Sequence, residues 1–464
     1  MARYMSSSEA AQRLGVSRQT LYAYVSRGLL QAAPGATHRD RQYLAADVER
    51  LAAERARVRK PKEVAKATLN WGLPVLESAI TLIENERIYY RGHDAVALAA
   101  SSDLESLAAL LWQSDVGVAF TSEPPAWADP MPALLEHYRD LRTEHALLPL
   151  VTVATDDAAT AQSLELDTPL FEGCGALVRL FAACVLRRAP SAASIHLQCA
   201  AAWGVGDAGA SLIRTALVLC ADHELNASGF TARCVASTGA SVRASLIGGL
   251  AALTGGKHGA ATAHVEAMWD AIDAQGLAQT ASIVDSLQSD IGGVPGFGHH
   301  LYAGGDPRAH ALLAHILPDH PRWVDLVEAI SARSGQYPSI DFALVALRRH
   351  LGLPLGAGFG IFALGRTVGW IAHALEQRAD PSLIRPRAAY VGRRPKSDLA
   401  AANAGQSKSA NSPKSASNTM PARSSKAANA RFGPFSGLFL EEQDSQDSAT
   451  IDTSLGNGRR TRHV

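Results

Sequence analysis

The chain has 464 residues, 47% hydrophobic and 19% charged, enough length and apolar content for more than one domain around a large core. Its 44 lysines and arginines balance 44 aspartates and glutamates, so the overall charge indicates no polyanionic or polycationic partner. No run of about 18 apolar residues marks a membrane span, and the N-terminus lacks the apolar stretch of a secretory signal. Cys174, Cys184, Cys199, Cys220 and Cys234 show no CxxC spacing and sit mostly in Ala/Leu-rich segments. They read as reduced, buried thiols, and a cytoplasmic location is expected.

In chain order, "SSSEAAQRLGVSRQTLYAYVSRGLL" predicts two short helices around a tight turn. Ser7 or Ser8 caps the first, with Ala10, Ala11 and Leu14 on one face, and Gly15 ends it. Ser17 caps the second, Leu21 and Val25 face inward, and Gly28 closes it. Arg18, Gln19, Thr20 and Tyr22 then fall near the start of a helix placed to read a DNA groove. Residues 1–60 carry eleven lysines and arginines against five acidic residues, the electrostatic footprint of DNA contact. After a Pro-Gly turn, "HRDRQYLAADVERL" has the form Arg41-x-Tyr43-x-x-x-Asp47-Val48. This resembles the wing and third helix of the MerR and excisionase-like families. The resemblance implies a small winged helix-turn-helix domain over residues 1–60, with Arg41 as a further DNA contact. A helical adaptor that docks on protein is the alternative. "RARVRKPK", Arg55 to Lys62, reads as solvated linker, with a DNA-backbone contact as the alternative, and 61–69 as the join to the next domain.

Residues 70–394 form the main body. "DLESLAALLW", "SLIRTALVLCADHEL", "SVRASLIGGLAAL" and "GFGIFALGRTVGWIAHALEQ" have helical apolar periodicity, and only "ERIYYRG" reads as a short strand pair. The domain is therefore expected to be all-α. Trp203, Trp269 and Trp370 read as packing residues. Residues 395–464 are rich in Ser, Ala, Asn and Lys, and a disordered tail is expected, with "FSGLFL" as a weak docking motif.

Chemistry-bearing residues concentrate in six segments of the body. "ADHELNAS" places His223, Glu224 and Asn226 on a helix. "LTGGKHGAA" sets His258 after a Gly-Gly break where a new helix starts. "GFGHHLYAGGDPR" holds His299 and Arg308, "YPSIDFAL" supplies Asp341, and "GRTVGWIAH" with "LIRPRAAYVG" supplies Arg366, Arg385 and Arg387. Arginines clamp carboxylates in two-pronged fashion. An aspartate among apolar neighbours, as Asp341 is between Ile340 and Phe342, has a raised pKa and suits a general base. A histidine at a helix N-terminus stays neutral against the helix dipole and can donate a hydrogen bond to an enolate. The set fits binding of a small polyanion and formation of a carbon–carbon bond. His310, His315 and His320 show no metal-ligand spacing, and no metal is expected.

Taken together and in this order, "IYYRGHDAVALAASSDLESLAALLW", "HELNAS", "GFGHxxY…DPR", "RTVGWIAH" and "RPRxxYxG" resemble the citrate synthase family over about residues 70–394. The resemblance implies an all-α fold with a large and a small domain, a homodimer, and condensation of acetyl-CoA with oxaloacetate, without cofactor or metal. It implies Asp341 as the base that deprotonates the acetyl group, His258 as the enolate stabiliser, and His299 as the donor to the oxaloacetate carbonyl. His223, Arg308 and Arg366 then hold the oxaloacetate carboxylates, and Arg385 reaches in from the partner subunit. The chain departs from the family at three places. His300 stands where arginine is usual after the loop histidine. Gly255-Gly256-Lys257-His258-Gly259-Ala260-Ala261 replaces the usual Gly-Pro-Leu-His-Gly-Gly-Ala. Ala343-Leu344-Val345 replaces Tyr-Ser-Gly after Asp341-Phe342. The small Ala343 keeps a 2-methylcitrate synthase using propionyl-CoA open, and the helix-turn-helix keeps open a regulator whose body senses CoA esters or dicarboxylates.

Overall fold

The computed structural model describes residues 4–26, 30–34, 41–45, 47–48, 51, 76–121, 123–127, 129–155, 168–388 and 390–393. The expected linker, the expected tail and Gly28 lie outside these residues.

The N-terminal unit consists of β1 (Tyr4–Ser6), α1 (Ser7–Leu14), α2 (Arg18–Ser26), β2 (Ala32–Pro34) and β3 (Arg41–Leu44). Its antiparallel sheet has the order β1-β3-β2, with Tyr4 opposite Leu44 and Ala33 opposite Gln42. The cap of α1 is Ser6, one residue before the expected serines. Glu9 decides this, because its side chain accepts from the Ser6 N–H at 2.8 Å while Ser6 Oγ accepts from the Glu9 N–H at 3.3 Å. Gly15 ends α1 in the left-handed region at φ 60°. Ala10, Leu14, Leu21, Leu30, Tyr43, Val48 and Leu51 make a small core of their own.

The body opens with a hairpin, β4 (Thr81–Glu84) and β5 (Arg87–Tyr90), to which β6 (His93–Asp94) adds a third strand beyond the expected pair. Asn85 and Glu86 turn the hairpin at φ 51° and 60°, the conformation a two-residue hairpin turn requires. Helices follow: α3 (Ala95–Ser101), α4 (Leu104–Trp112), α5 (Val116–Ala119), α6 (Met131–His137), α7 (Thr143–Ala154), α8 (Thr168–Leu186), α9 (Ile195–Trp203), α10 (Asp207–Leu219), α11 (Ala227–Ala236) and α12 (Val242–Leu253). Then come α13 (Ala261–Gln275), α14 (Thr280–Ile291), α15 (Pro307–Leu313), α16 (Pro321–Ser334), α17 (Ile340–His350) and α18 (Ala357–Arg378). Among its described residues the body is all-α apart from the hairpin sheet.

α18 is its axis. Every residue of this helix except Glu376 and Arg378 is buried, as expected of a helix that is apolar all round. It packs against α4, α10, α11, α12 and α17. A Cβ at Gly369 would run into the Ala221 carbonyl and the Asp222 carboxylate, so glycine lets α18 lie directly against residues 221–222. On another side, α17 packs between α13, α15 and α18. Trp269 and Trp370 are in the core and Trp203 packs against it. All five cysteines are free and all but half-buried Cys234 are buried. Burial pushes the Cys174 and Cys220 thiols up to about 12, with nearby arginines opposing, which makes both inert. Among the described residues no helix is long and apolar enough to cross a membrane.

Candidate active site

His223 and Glu224 lie in the loop between α10 and α11, which corrects the expectation that they share a helix with Asn226. Asn226 is the reason. Its Oδ1 accepts from the Ser228 and Gly229 N–H groups at 3.1 and 3.0 Å, so it caps α11 and leaves the preceding residues outside. The loop instead turns His223 toward the glycine-rich segment that carries His299. His223 Nε2 lies 2.9 Å from the Tyr302 hydroxyl, and the His223 and His299 ring centres are 5.0 Å apart. A backbone N–H, that of Leu301, donates to His299 Nδ1 at 3.2 Å, so the proton of the neutral ring sits on Nε2 as a donor. Burial, then the charge of Arg308, pushes His299 down to about 4. Burial and the same arginine hold His223 well below the usual histidine range.

His258 sits in the turn before α13, which starts three residues later than the expected helix start. Its Nε2 is 2.8 Å from Ser228 Oγ. That hydroxyl gives its own proton to Asn226 Oδ1 at 2.7 Å, so it accepts from His258. His258 is neutral, pushed down to about 4 by burial first and Arg366 second.

Two buried arginines supply positive charge. Arg308 stands in the first turn of α15 behind Asp306 and Pro307, its charge held on by the neighbouring Asp306 although burial opposes it. Arg366, in the middle of α18, donates from Nε to the Cys220 carbonyl at 2.7 Å, and its guanidinium lies 4.8 Å from the Phe362 ring centre. Its Nη1 is buried and meets no partner among the described residues. An orphaned buried donor of this kind is what a ligand carboxylate satisfies. Asp341 is the second residue of α17. Its Oδ1 is shielded from solvent and meets no partner among the described residues, and its Oδ2 is 3.5 Å from Ser339 Oγ. Burial pushes the carboxyl up to about 6 against the pull of Arg308.

The fold thus draws His223, His258, His299, Arg308, Asp341 and Arg366 into one electrostatically connected set. It does not bring Arg385 to that set within one chain; this residue is exposed on the extended segment after α18. His300 is exposed. No group of three potential metal ligands occurs among the described residues. Sequence reasoning gave no role to Tyr302, Ser228 and Asp306, although all three fall inside the motifs that carry the resemblance. Asp306 also carried a local signal, an aspartate before Pro307 in the pattern of a capped helix start.

In the N-terminal unit, Gln19 and Tyr22 are exposed on α2, which Arg18 opens. The Arg41 guanidinium lies 5.4 Å from the centre of the Tyr22 ring, so β3 and α2 share one surface. Thr20 is half-buried, and its hydroxyl is 2.9 Å from that of the capping residue Ser17.

Residues 4–56 match a family described as "Helix-turn-helix domain", and residues 68–387 one described as "Citrate synthase, C-terminal domain". The chain is 38% identical over 187 residues to a citrate synthase of Haloferax volcanii and 35% identical over 185 residues to 2-methylcitrate synthase 2 of Corynebacterium glutamicum. These alignments cover 38% of this chain in both cases, and 49% and 48% of the relatives. The chain therefore spans about half the length of the curated relatives it matches. The crystal structure of citrate synthase from Thermotoga maritima superposes with a TM-score of 0.58 at 26% identity, over 69% of this chain and 94% of that one. A ternary complex of carboxymethyl coenzyme A and oxaloacetate with the Thermoplasma acidophilum citrate synthase has the same TM-score at 22% identity, over 70% and 95%, a likeness of fold. The family match runs through more than half of the chain and across the whole set of histidines, arginines and Asp341, and the chain belongs to the citrate synthase family.

Proposed function

We propose that the body condenses an acyl-CoA with oxaloacetate, with acetyl-CoA as the preferred ester, to give citrate and CoA. The observation that carries this reading is Asp341, a shielded carboxylate pushed up to about 6 with one oxygen unengaged, beside two buried arginines and three neutral histidines. Arg308, Arg366 and His223 hold the two oxaloacetate carboxylates, where each charge-assisted hydrogen bond is worth about 1.5–3 kcal/mol. The Nε2–H of His299 donates to the keto carbonyl. Asp341 takes a proton from the carbon next to the thioester carbonyl. His258 donates to the thioester oxygen as charge develops there, which requires its N–H to turn from Ser228 to the substrate. The enol carbon attacks the polarised carbonyl carbon, His299 protonates the new alkoxide, and water cleaves the thioester to release CoA. Arg385, exposed in one chain, completes the site of the other subunit in a homodimer.

The test is thiol release from purified protein with oxaloacetate and either acetyl-CoA or propionyl-CoA, beside Asp341→Ala. Oxaloacetate-dependent release that disappears in the variant is expected. Faster turnover of propionyl-CoA reassigns the protein as a 2-methylcitrate synthase, a reading kept by the buried Ala343 next to Phe342 and by relatives of both names. No release with either ester replaces the enzyme by a sensor of CoA esters or dicarboxylates.

A second role rests on the N-terminal unit. Its exposed Gln19, Tyr22 and Arg41 on one surface fit contact with DNA, and a dimer would present two such units to two half-sites. Binding to the protein's own promoter region should weaken steeply with salt; a signal that is absent or indifferent to salt removes this role.

A further inference from the structure

Asp306 is only 2% exposed, yet it holds more donors than a capping residue needs. Its Oδ1 accepts from the Arg308 backbone N–H at 3.0 Å and from Arg308 Nε at 2.9 Å. Its Oδ2 accepts from Arg308 Nη2 at 2.7 Å and from the N–H of Ile340, the residue before Asp341, at 3.0 Å. A serine or asparagine could cap α15. Only a carboxylate can take the two-pronged guanidinium and the start of a second helix together.

We infer that Asp306 is a positioning residue for the condensation proposed above: it fixes the Arg308 fork relative to the first turn of α17 and screens Asp341 from the arginine's charge. The groups that act most on Asp341 are Arg308 and Asp306 from the loop and α15, Arg366 from α18, and Ser339 at the start of its own helix, and the buried Cys220 thiol also feels its charge. Burial and Asp306 raise the affinity of Asp341 for its proton; the two arginines and the Ser339 hydroxyl lower it. Deleting the Asp306 charge removes a repulsion and bares Arg308 at once. Both changes favour ionised Asp341, which makes it a weaker base. The fork itself loses one of its two acceptor oxygens.

Asp306→Asn keeps the capping oxygen and the side-chain volume but loses the charge. The acid limb of kcat/KM is expected to move down by about one pH unit, and KM for oxaloacetate to rise about tenfold or more. A residue that served the fold alone would lower the melting temperature and leave that limb in place. A parent-like limb together with a parent-like KM overturns the inference. Asp306→Glu keeps the charge and displaces the fork by one methylene, so the limb should stay while KM for oxaloacetate rises; an unchanged KM overturns the positioning role even if Asp306→Asn does not fold. Calorimetric titration with oxaloacetate separates this inference from the proposed reaction. A parent that binds oxaloacetate but turns over no ester defeats the reaction alone, and affinity in the two variants still decides on Asp306. A parent that binds no oxaloacetate defeats both.

Discussion

Asp341 shows what the carboxylate proposed as the base costs the fold. Its pKa of about 6, against 3.8 for a free aspartate, means that the folded chain holds this proton more tightly than the unfolded one. Stability contributed by the protonated group is complete below about 4 and is lost as pH rises through about 6. Two pKa units correspond to about 3 kcal/mol, which the ionised residue costs at neutral pH. Asp341→Asn should therefore melt at higher temperature than the parent at pH 8 and at the same temperature at pH 3.5, while turnover falls by about a thousandfold or more. Equal melting at both pH values would remove the burial argument for the base. In the parent, the acid limb of kcat/KM should lie near pH 6, where Asp341 ionises. The residues of this site that sequence made legible are those whose chemistry requires one residue type: Asp341, the three histidines, Arg308 and Arg366. Ser228, Tyr302 and Asp306 matter through what they touch. His223 and Tyr302 stand 79 positions apart, and nothing along the chain announces that contact.

At the scale of elements, α13 and α17 place residues of the proposed chemistry just before or in their first turns and are fastened to each other further along. The turn before α13 holds His258, and α17 begins with Ile340 and Asp341. Glu266 of α13 accepts from Arg348 at 3.0 Å and from Arg349 at 3.0 and 2.8 Å. Arg349 also lies 4.9 Å from the Trp269 ring centre, and Trp269 stacks on Phe342 at 4.9 Å. The Glu266, Arg348 and Arg349 side chains are only 14–15% exposed, so removing the shared carboxylate strands charge in a poorly solvated place. Glu266→Ala should cost about 2–3 kcal/mol in urea unfolding and lower kcat severalfold by loosening His258 against Asp341. Lost stability with unchanged kcat would restrict the clamp to holding the fold. The helices read from the sequence, α1, α2, α4, α10, α12 and α18, were legible because apolar periodicity is a local property. The 220–226 loop was not, because the sequence reads as a helix until Asn226 takes the capping position. Ser6 was passed over for Ser7 and Ser8 because the choice of cap depends on which hydroxyl pairs with Glu9.

For the whole molecule, the open matter is whether one chain makes a complete site. The set contains two buried arginines for the two carboxylates of the proposed substrate, while Arg385 stands exposed beyond α18. If Arg385 serves the neighbouring subunit, damage to Arg385 and damage to Asp341 fall on different sites of a mixed dimer. Arg385→Ala and Asp341→Asn should each be nearly inactive alone. Mixed after subunit exchange, half of the dimers carry one of each chain. In such a dimer one site combines both lesions, and the other combines an intact Asp341 with an intact Arg385 from the neighbour. With random pairing, about a quarter of parent activity should return. Restoration to that level by thiol release, together with a dimer mass by sedimentation, would establish a shared site. If Arg385 acted within its own chain, each site of the mixed dimer would keep one lesion and activity would stay at the level of the single variants. The same exchange bears on the N-terminal units, because a dimer that shares its active sites also fixes two helix-turn-helix modules to one body.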